Sequence, residues 1–188
     1  MSEHSLSRKM HGPDGTVFTV GHSTRPIAAF IALLQACRIR QLADIRTIPR
    51  SRHNPQFNAE ALGAALTAAG IDYVPMPQLG GLRHARKDSR NMGWRNASFR
   101  GYADYMQTPA FAEALDELVH MSRSNRVAIM CAEAVPWRCH RSLVADALVA
   151  RGIPVVEILS EKGHRMHALT PFAKVEGTHV TYPPRDGS

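Results

Sequence analysis

The chain has 188 residues, 44% hydrophobic and 21% charged, which suits one buried core and leaves too little length for a second full domain. No run approaches the roughly 20 apolar residues that cross a bilayer, and the polar N-terminus has no apolar stretch of a secretory kind, so the expected setting is cytoplasmic, without a membrane partner. A formal net charge of +7 points to anionic partners, either small molecules or nucleic acid, with a solvated basic surface as the plain alternative.

After a leader expected to be flexible (residues 1–15), residues 16–20 (TVFTV) read as a buried strand that stops at Gly21. The following helix can be capped by Ser23 or Thr24, with Pro26 in its first turn and Ile27, Phe30, Ile31, Leu34 and Cys37 on one face. Cys37 therefore reads as a core residue. Residues 41–45 form the second strand, residues 58–69 a helix capped by Asn58 and ended by Gly70, and residues 71–76 the third strand. Periodicity then disappears through residues 77–98, a long excursion rich in Gly, Arg and His.

Residues 99–107 read as a short helix, and Thr108-Pro109 restarts a longer one through Met121. Residues 126–130 (RVAIM) give the clearest strand, residues 140–151 a helix ended by Gly152, and residues 154–159 the fifth strand. The remainder is rich in Pro and Gly, with one further helical turn expected after Thr170-Pro171. Strands alternating with helices predict an α/β fold over residues 16–175, a mostly parallel five-stranded sheet covered on both faces in a Rossmann-like three-layer arrangement, and residues 176–188 as a tail. Ligands of such sheets bind beyond the carboxyl ends of the strands, so the residues following each strand are the first candidates.

Beyond the first strand, Gly21-His22-Ser23 turns toward a helix whose free N–H groups suit an anion, and His22 can carry protons near neutral pH. Beyond the second, Asp44 and Arg46 point to one side, either as catalytic and anion-holding groups or as a structural ion pair. The stiff loop that follows carries Arg50, Arg52 and His53 and ends at Phe57; it suits phosphate contacts or simply lies in solvent.

Beyond the fourth strand, Cys131 and Glu133 lead to Arg138, Cys139, His140, Arg141 and Ser142 at a helix start, an arrangement that stabilises a thiolate. Cys139, nearer the helix N-terminus, is expected to have the more depressed pKa, while Cys131 points up from the sheet. The competing reading makes Cys131 a small buried residue. A metal held by Cys131, Cys139 and His140 lacks the usual paired-cysteine spacing, so neither metal nor cofactor is expected. Arg83, His84, Arg86, Lys87, Arg90, Trp94, Arg95, Phe99, Arg100 and Tyr102 interleave cations with aromatics, as single-stranded nucleic-acid binders do, although Phe99 and Tyr102 equally suit a packed helix face.

Several of these segments together resemble a known family. Gly21-His22-Ser23, Asp44-Ile45-Arg46 with Pro49-Arg50-Ser51, Gln56-Phe57-Asn58, Gly70-Ile71-Asp72-Tyr73, Leu79-Gly80-Gly81, Phe99 with Tyr102, and Cys131-Ala132-Glu133 with Cys139-His140-Arg141 are similar to the bacterial family catalogued as domain of unknown function 488. That resemblance implies no particular reaction. A weaker similarity links the order strand, Cys131, loop, Arg141-Ser142, helix to the active-site half of rhodanese-type sulfurtransferases and cysteine-dependent phosphatases. The loop here departs from theirs: it is longer, contains Pro136, lacks glycine and places Glu133 where an anion would be repelled.

These readings predict a thiol- and acid/base-dependent enzyme for a phosphate-bearing substrate, a nucleotide or nucleic acid. Cys131 or Cys139 would be the nucleophile, and Glu133 or His22, with Asp44, the acid–base groups. Ser23, Arg46, Arg50, Arg52, Phe57, Tyr102, Arg138, His140 and Arg141 would bind substrate. The alternative is a non-catalytic nucleic-acid-binding or DNA-repair-associated protein.

Overall fold

The β-branched runs do assemble into a parallel sheet, seen in a computed structural model that describes residues 15–186. Strands β1 (Val17–Gly21), β2 (Gln41–Asp44), β3 (Asp72–Pro75), β4 (Val127–Cys131) and β5 (Val155–Ile158) are mutually parallel, in the order β3-β2-β4-β1-β5. The expectation of five strands is corrected by a sixth, β6 (His164–Met166), which pairs antiparallel with β5 and makes the sheet mixed. Three residues reading His-Arg-Met show neither apolar alternation nor β-branching, so no local signal announces that strand.

Alternation along each strand divides the core into two layers. Phe18, Val20, Leu42, Ala128 and Met130 face α1 (Ile27–Ala36) and α2 (Ala59–Ala68) on one side of the sheet. Val17, Ala43, Ile45, Val127, Ile129 and Cys131 face the other side, covered by α3 (Ala97–Tyr105), α4 (Pro109–Ser124) and α5 (Arg141–Ala150).

The helix starts follow capping chemistry unevenly. Thr108 accepts from the Phe111 N–H with Pro109 in the first turn, and Asn96 caps α3 two residues before the expected start. The cap expected from Ser23 or Thr24 is not made. Pro26 is the N-cap of α1, without a side-chain hydrogen bond, and Ser23 sits in the left-handed region (φ 51°) with its N–H donating to the Ala132 carbonyl at 2.9 Å. Asn58 does occupy the N-cap of α2, yet its side chain accepts from the Ser51 N–H at 2.7 Å, tying the basic loop to the helix.

After Thr170-Pro171 the chain makes one hydrogen-bonded turn, the Ala173 N–H donating to the Thr170 carbonyl at 2.9 Å, that does not count as helix; a hairpin of β7 (Lys174–Glu176) and β8 (His179–Thr181) follows. Val180 and Tyr182, in the segment expected to be a tail, are buried in the core. The Tyr182 hydroxyl donates to Asp146 at 2.7 Å, and Asp146 and Glu157 grip the two ring nitrogens of His167, each at 2.7 Å. Although burial opposes protonation of His167, the two carboxylates raise its pKa to about 9, so it is an imidazolium at neutral pH.

The excursion before α3 is ordered by one carboxylate. Asp104 accepts from the Arg86 N–H, the Ser89 hydroxyl and the Asn91 side chain, at 2.8, 2.6 and 2.7 Å. Nothing in its sequence surroundings announces that role, because its partners lie 13–18 residues away on an aperiodic segment.

Candidate active site

The helix after β1 and the helix after β4 lie on opposite faces of the sheet although the two strands are neighbours. Their connecting loops therefore diverge and open a crevice at the strand ends, as open α/β sheets do where the direction of winding changes. A cleft of about 810 Å³ occupies this place. Of the residues singled out in the sequence, His22, Ser23, Arg46, Arg50, Tyr102, Cys131, Glu133, Arg138, Cys139 and His140 line it.

Cys131 ends β4 and forms part of the floor, with only 1% of its surface exposed. The thiol points to the Glu133 carbonyl at 3.7 Å. Burial alone would raise its pKa, but the neighbouring Cys139 thiol and the charge of Arg141 outweigh burial and lower it from the ordinary 9.0 to about 7. Cys139 behaves in the opposite sense: the neighbouring Cys131 sulfur, and burial, hold it well above the usual thiol value. The expectation that Cys139 has the more acidic thiol is thus reversed, because both groups cannot ionise side by side and the main-chain N–H of Arg141, at 3.5 Å, is too small a compensation.

Arg141 lies beneath the cleft rather than in it. Its surface is 0% exposed, Nη1 donates to the Thr19 hydroxyl and Nη2 to the Glu133 carbonyl, and Nε is buried without a partner. Among the described residues no carboxylate pairs with it. A buried guanidinium without a counter-charge is costly, and the nearby ionisable group that can supply the missing negative charge is the Cys131 thiol.

His140 donates from Nε2 to the Ile45 carbonyl at 3.0 Å, which leaves Nδ1 unprotonated and 3.5 Å from the Cys139 sulfur. Burial, reinforced by the charge of Arg141, lowers its pKa to about 4, so it is a neutral proton acceptor across the physiological range. The Tyr102 ring packs against it, centroids 4.9 Å apart, and the Tyr102 hydroxyl is consumed by the Leu79 carbonyl at 2.7 Å.

The opposite wall is a chain of paired groups. Nε and Nη2 of Arg46 grip both oxygens of Asp44, at 2.8 and 2.6 Å, and Nη2 also reaches the Phe57 carbonyl at 2.8 Å. The Tyr73 hydroxyl donates to the same carboxylate at 2.6 Å. Asp44, 1% exposed, has both oxygens engaged, lies outside the cleft lining and fixes Arg46. His22 donates from Nδ1 to the Ser23 carbonyl at 2.7 Å and presents Nε2 to Arg46 Nη1 at 3.4 Å, while its ring stacks on Phe57 at 4.2 Å. Burial lowers its pKa, and both of its nitrogens are in contact, one with the Ser23 carbonyl and one with Arg46. Phe57 is fully buried behind it, and Arg52 is exposed away from the lining; neither meets the cleft.

The exposed guanidinium groups of Arg50 and Arg138 stand at the mouth together with the carboxylate of Glu133. Ile48 and Leu82, 61% and 74% exposed, form an apolar lip that the sequence reading missed. Tyr73 was missed as well. It lies opposite Leu42 and so shares a face with Asp44, a relation visible only once β3 is known to adjoin β2.

The interleaved aromatics and cations divide. Trp94 packs on Phe99 and Phe172, both at 4.9 Å between centroids, and Tyr102 is buried, so these rings pack against the core, while half-buried Phe99 also lines the cleft. Among the described residues no group of three or more His, Cys, Asp or Glu side chains is placed to hold a metal ion, and no helix is long and apolar enough to cross a membrane.

Gly21 sets the depth of the cleft. A Cβ at this position would overlap the Glu133 carbonyl oxygen, the atom that Arg141 and Cys131 both address. Gly21→Ala should therefore cost about 3 kcal/mol in urea unfolding by forcing the loop off the strand end; a variant as stable as the parent would show that the loop yields freely.

Fold and site together define an α/β protein with a cationic cleft over two buried thiols at the ends of its parallel strands. The model of the family described as "Domain of unknown function DUF488" matches residues 26–148, and the chain belongs to that family. The likeness to sulfurtransferase and phosphatase loops is not among the relationships found. No curated protein and no solved structure matches the chain.

Proposed function

We propose that the chain is a cysteine-dependent enzyme whose Cys131 thiolate attacks an anionic, phosphate-bearing substrate held in the strand-end cleft. The observation that carries this reading is the fully buried Arg141, uncompensated by any carboxylate among the described residues and set against the sulfur of Cys131. A neutral residue would serve packing alone better; a guanidinium sealed there stabilises a thiolate.

Arg46, held by Asp44 and in contact with His22, lines the cleft, and Arg50 and Arg138 add charge at its mouth. These three groups would draw in and orient the anion. The Glu133 carboxylate, exposed at the rim, would be an acid–base group able to meet a substrate or leaving group.

The test is alkylation by iodoacetamide as a function of pH, read by peptide mass. Cys131 should react with a midpoint near pH 7, and Arg141→Met should raise that midpoint by roughly one to two units. Cys37, whose thiol burial pushes up to about 11, serves as the internal reference. A Cys131 midpoint at the ordinary thiol value, or one indifferent to Arg141, would overturn the proposal.

A further inference from the structure

The cleft holds one more nucleophile than a single displacement uses. Cys139, 5% exposed, lines the same cleft as Cys131, and the two sulfurs influence each other's ionisation. Neither thiol is tied up in a disulfide, and the third cysteine, Cys37, is on the opposite side of the sheet beside His164. The His140 Nδ1 lone pair faces Cys139, not Cys131. A base aimed at the less acidic sulfur has no task while Cys131 acts alone, but it has one if Cys139 must be deprotonated in a second step.

We propose that Cys131 and Cys139 form a working dithiol that reduces a disulfide substrate, Cys131 attacking first and Cys139 resolving. This deepens the reading above and rests on it, since it needs a reactive Cys131 thiolate, though not a phosphate on the substrate. In the first step the Cys131 thiolate attacks one sulfur of the substrate disulfide; a Cys131–substrate disulfide forms, the original S–S bond breaks, and one substrate thiolate leaves and takes a proton from solvent. In the second, His140 Nδ1 takes the proton of Cys139, whose sulfur attacks the Cys131 sulfur. The mixed disulfide breaks, the second substrate thiolate departs with the proton relayed by His140, and a Cys131–Cys139 disulfide remains. The protein has lost two electrons and the substrate has gained them; an external thiol restores the dithiol.

Placement favours this order. The Arg141 guanidinium meets the same Glu133 carbonyl as the Cys131 sulfur, and its charge favours the thiolate there, so Cys131 is the sulfur ready to attack at neutral pH. Once Cys131 is bonded to substrate it is no longer an anion, and what held the Cys139 proton in place is gone. Ionisation of the second thiol is thereby coupled to completion of the first step. The exposed apolar lip of Ile48 and Leu82 suits a substrate with an uncharged or aromatic body next to its sulfurs.

The full chain, reduced and freed of reductant, is treated with dithiodipyridine, which releases a coloured thiopyridone at each exchange. The expected result is two equivalents released per chain, no pyridyl adduct retained, and a peptide map joining Cys131 to Cys139. Cys139→Ser should release one equivalent and keep the adduct on Cys131. Wild-type protein that retains a pyridyl adduct on Cys131, while Cys131 still alkylates with its low midpoint, would overturn the dithiol and leave the nucleophile proposal standing. Wild-type protein that neither exchanges nor alkylates at Cys131 would overturn both. The wild-type peptide map decides the question even if Cys139→Ser does not fold.

Discussion

His167→Ala should lower the stability of the protein by about 3–5 kcal/mol, read as a fall in the urea midpoint, because it leaves two buried carboxylates facing each other without the cation they share. The size of the loss should depend on pH in a defined way. The folded pKa of His167 is raised from 6.5 to about 9, so its contribution is complete below the unfolded value and fades as the pH rises through the folded one. Glu157 has the opposite sign: although burial opposes ionisation, His167 and Arg165 lower its pKa, and its contribution is lost as the pH falls below the ordinary 4.5. The gap between parent and variant should be widest between those limits, on the order of 3 kcal/mol from protonation linkage, and should close toward about pH 10. Equal gaps at pH 6 and pH 10 would mean that the ring is neutral in the folded protein. The loss should reach the end of the chain as well, because Asp146 also anchors Tyr182 after the β7–β8 hairpin.

Asp44→Ala should cost a similar amount, about 3–5 kcal/mol, since it strands the buried Arg46 guanidinium and the Tyr73 hydroxyl together. The two parts of the cleft should then separate experimentally. Arg46 would lose its orientation, whereas the Cys131 midpoint should stay near 7, because Cys139 and Arg141, on the other wall, set it. Paired measurements of urea unfolding and alkylation in Asp44→Ala check this. A Cys131 midpoint that rises together with the loss of stability would show that the two walls are coupled and that Asp44 takes part in the thiol chemistry.

Legibility in the sequence followed the range over which each property is determined. The five parallel strands and their helices could be read because apolar runs and 3.6-residue spacing are local. β6 could not, since its three residues become a strand only by pairing with β5. Most of the candidate residues line one cleft at the strand ends, where the rule for open sheets looks for a ligand, while Arg52 and Phe57 do not meet it. Their division of labour was not legible. Asp44 and Arg46 have the spacing of a catalytic pair and the burial of an ion pair, and the Tyr73 hydroxyl reaches the same carboxylate only because β2 pairs with β3. The order of the two thiols was misread for a related reason: helix position favours Cys139, but Arg141 turns its side chain back beneath the sheet end, to Thr19 and Glu133, and so serves Cys131.

That turn of Arg141 bears on how such a protein can diversify. The segment from Ala132 to Arg138 is fastened through main-chain atoms: the Ala132 carbonyl to the Ser23 N–H, and the Glu133 carbonyl to Arg141 against the bare face of Gly21. The exposed side chains of Ala132, Glu133, Ala134 and Arg138 take no part in that fastening. On the proposed function, the rim can therefore be altered at Ala132, Ala134 and Arg138 without loosening what holds the loop, an anchored chassis beneath an interchangeable face.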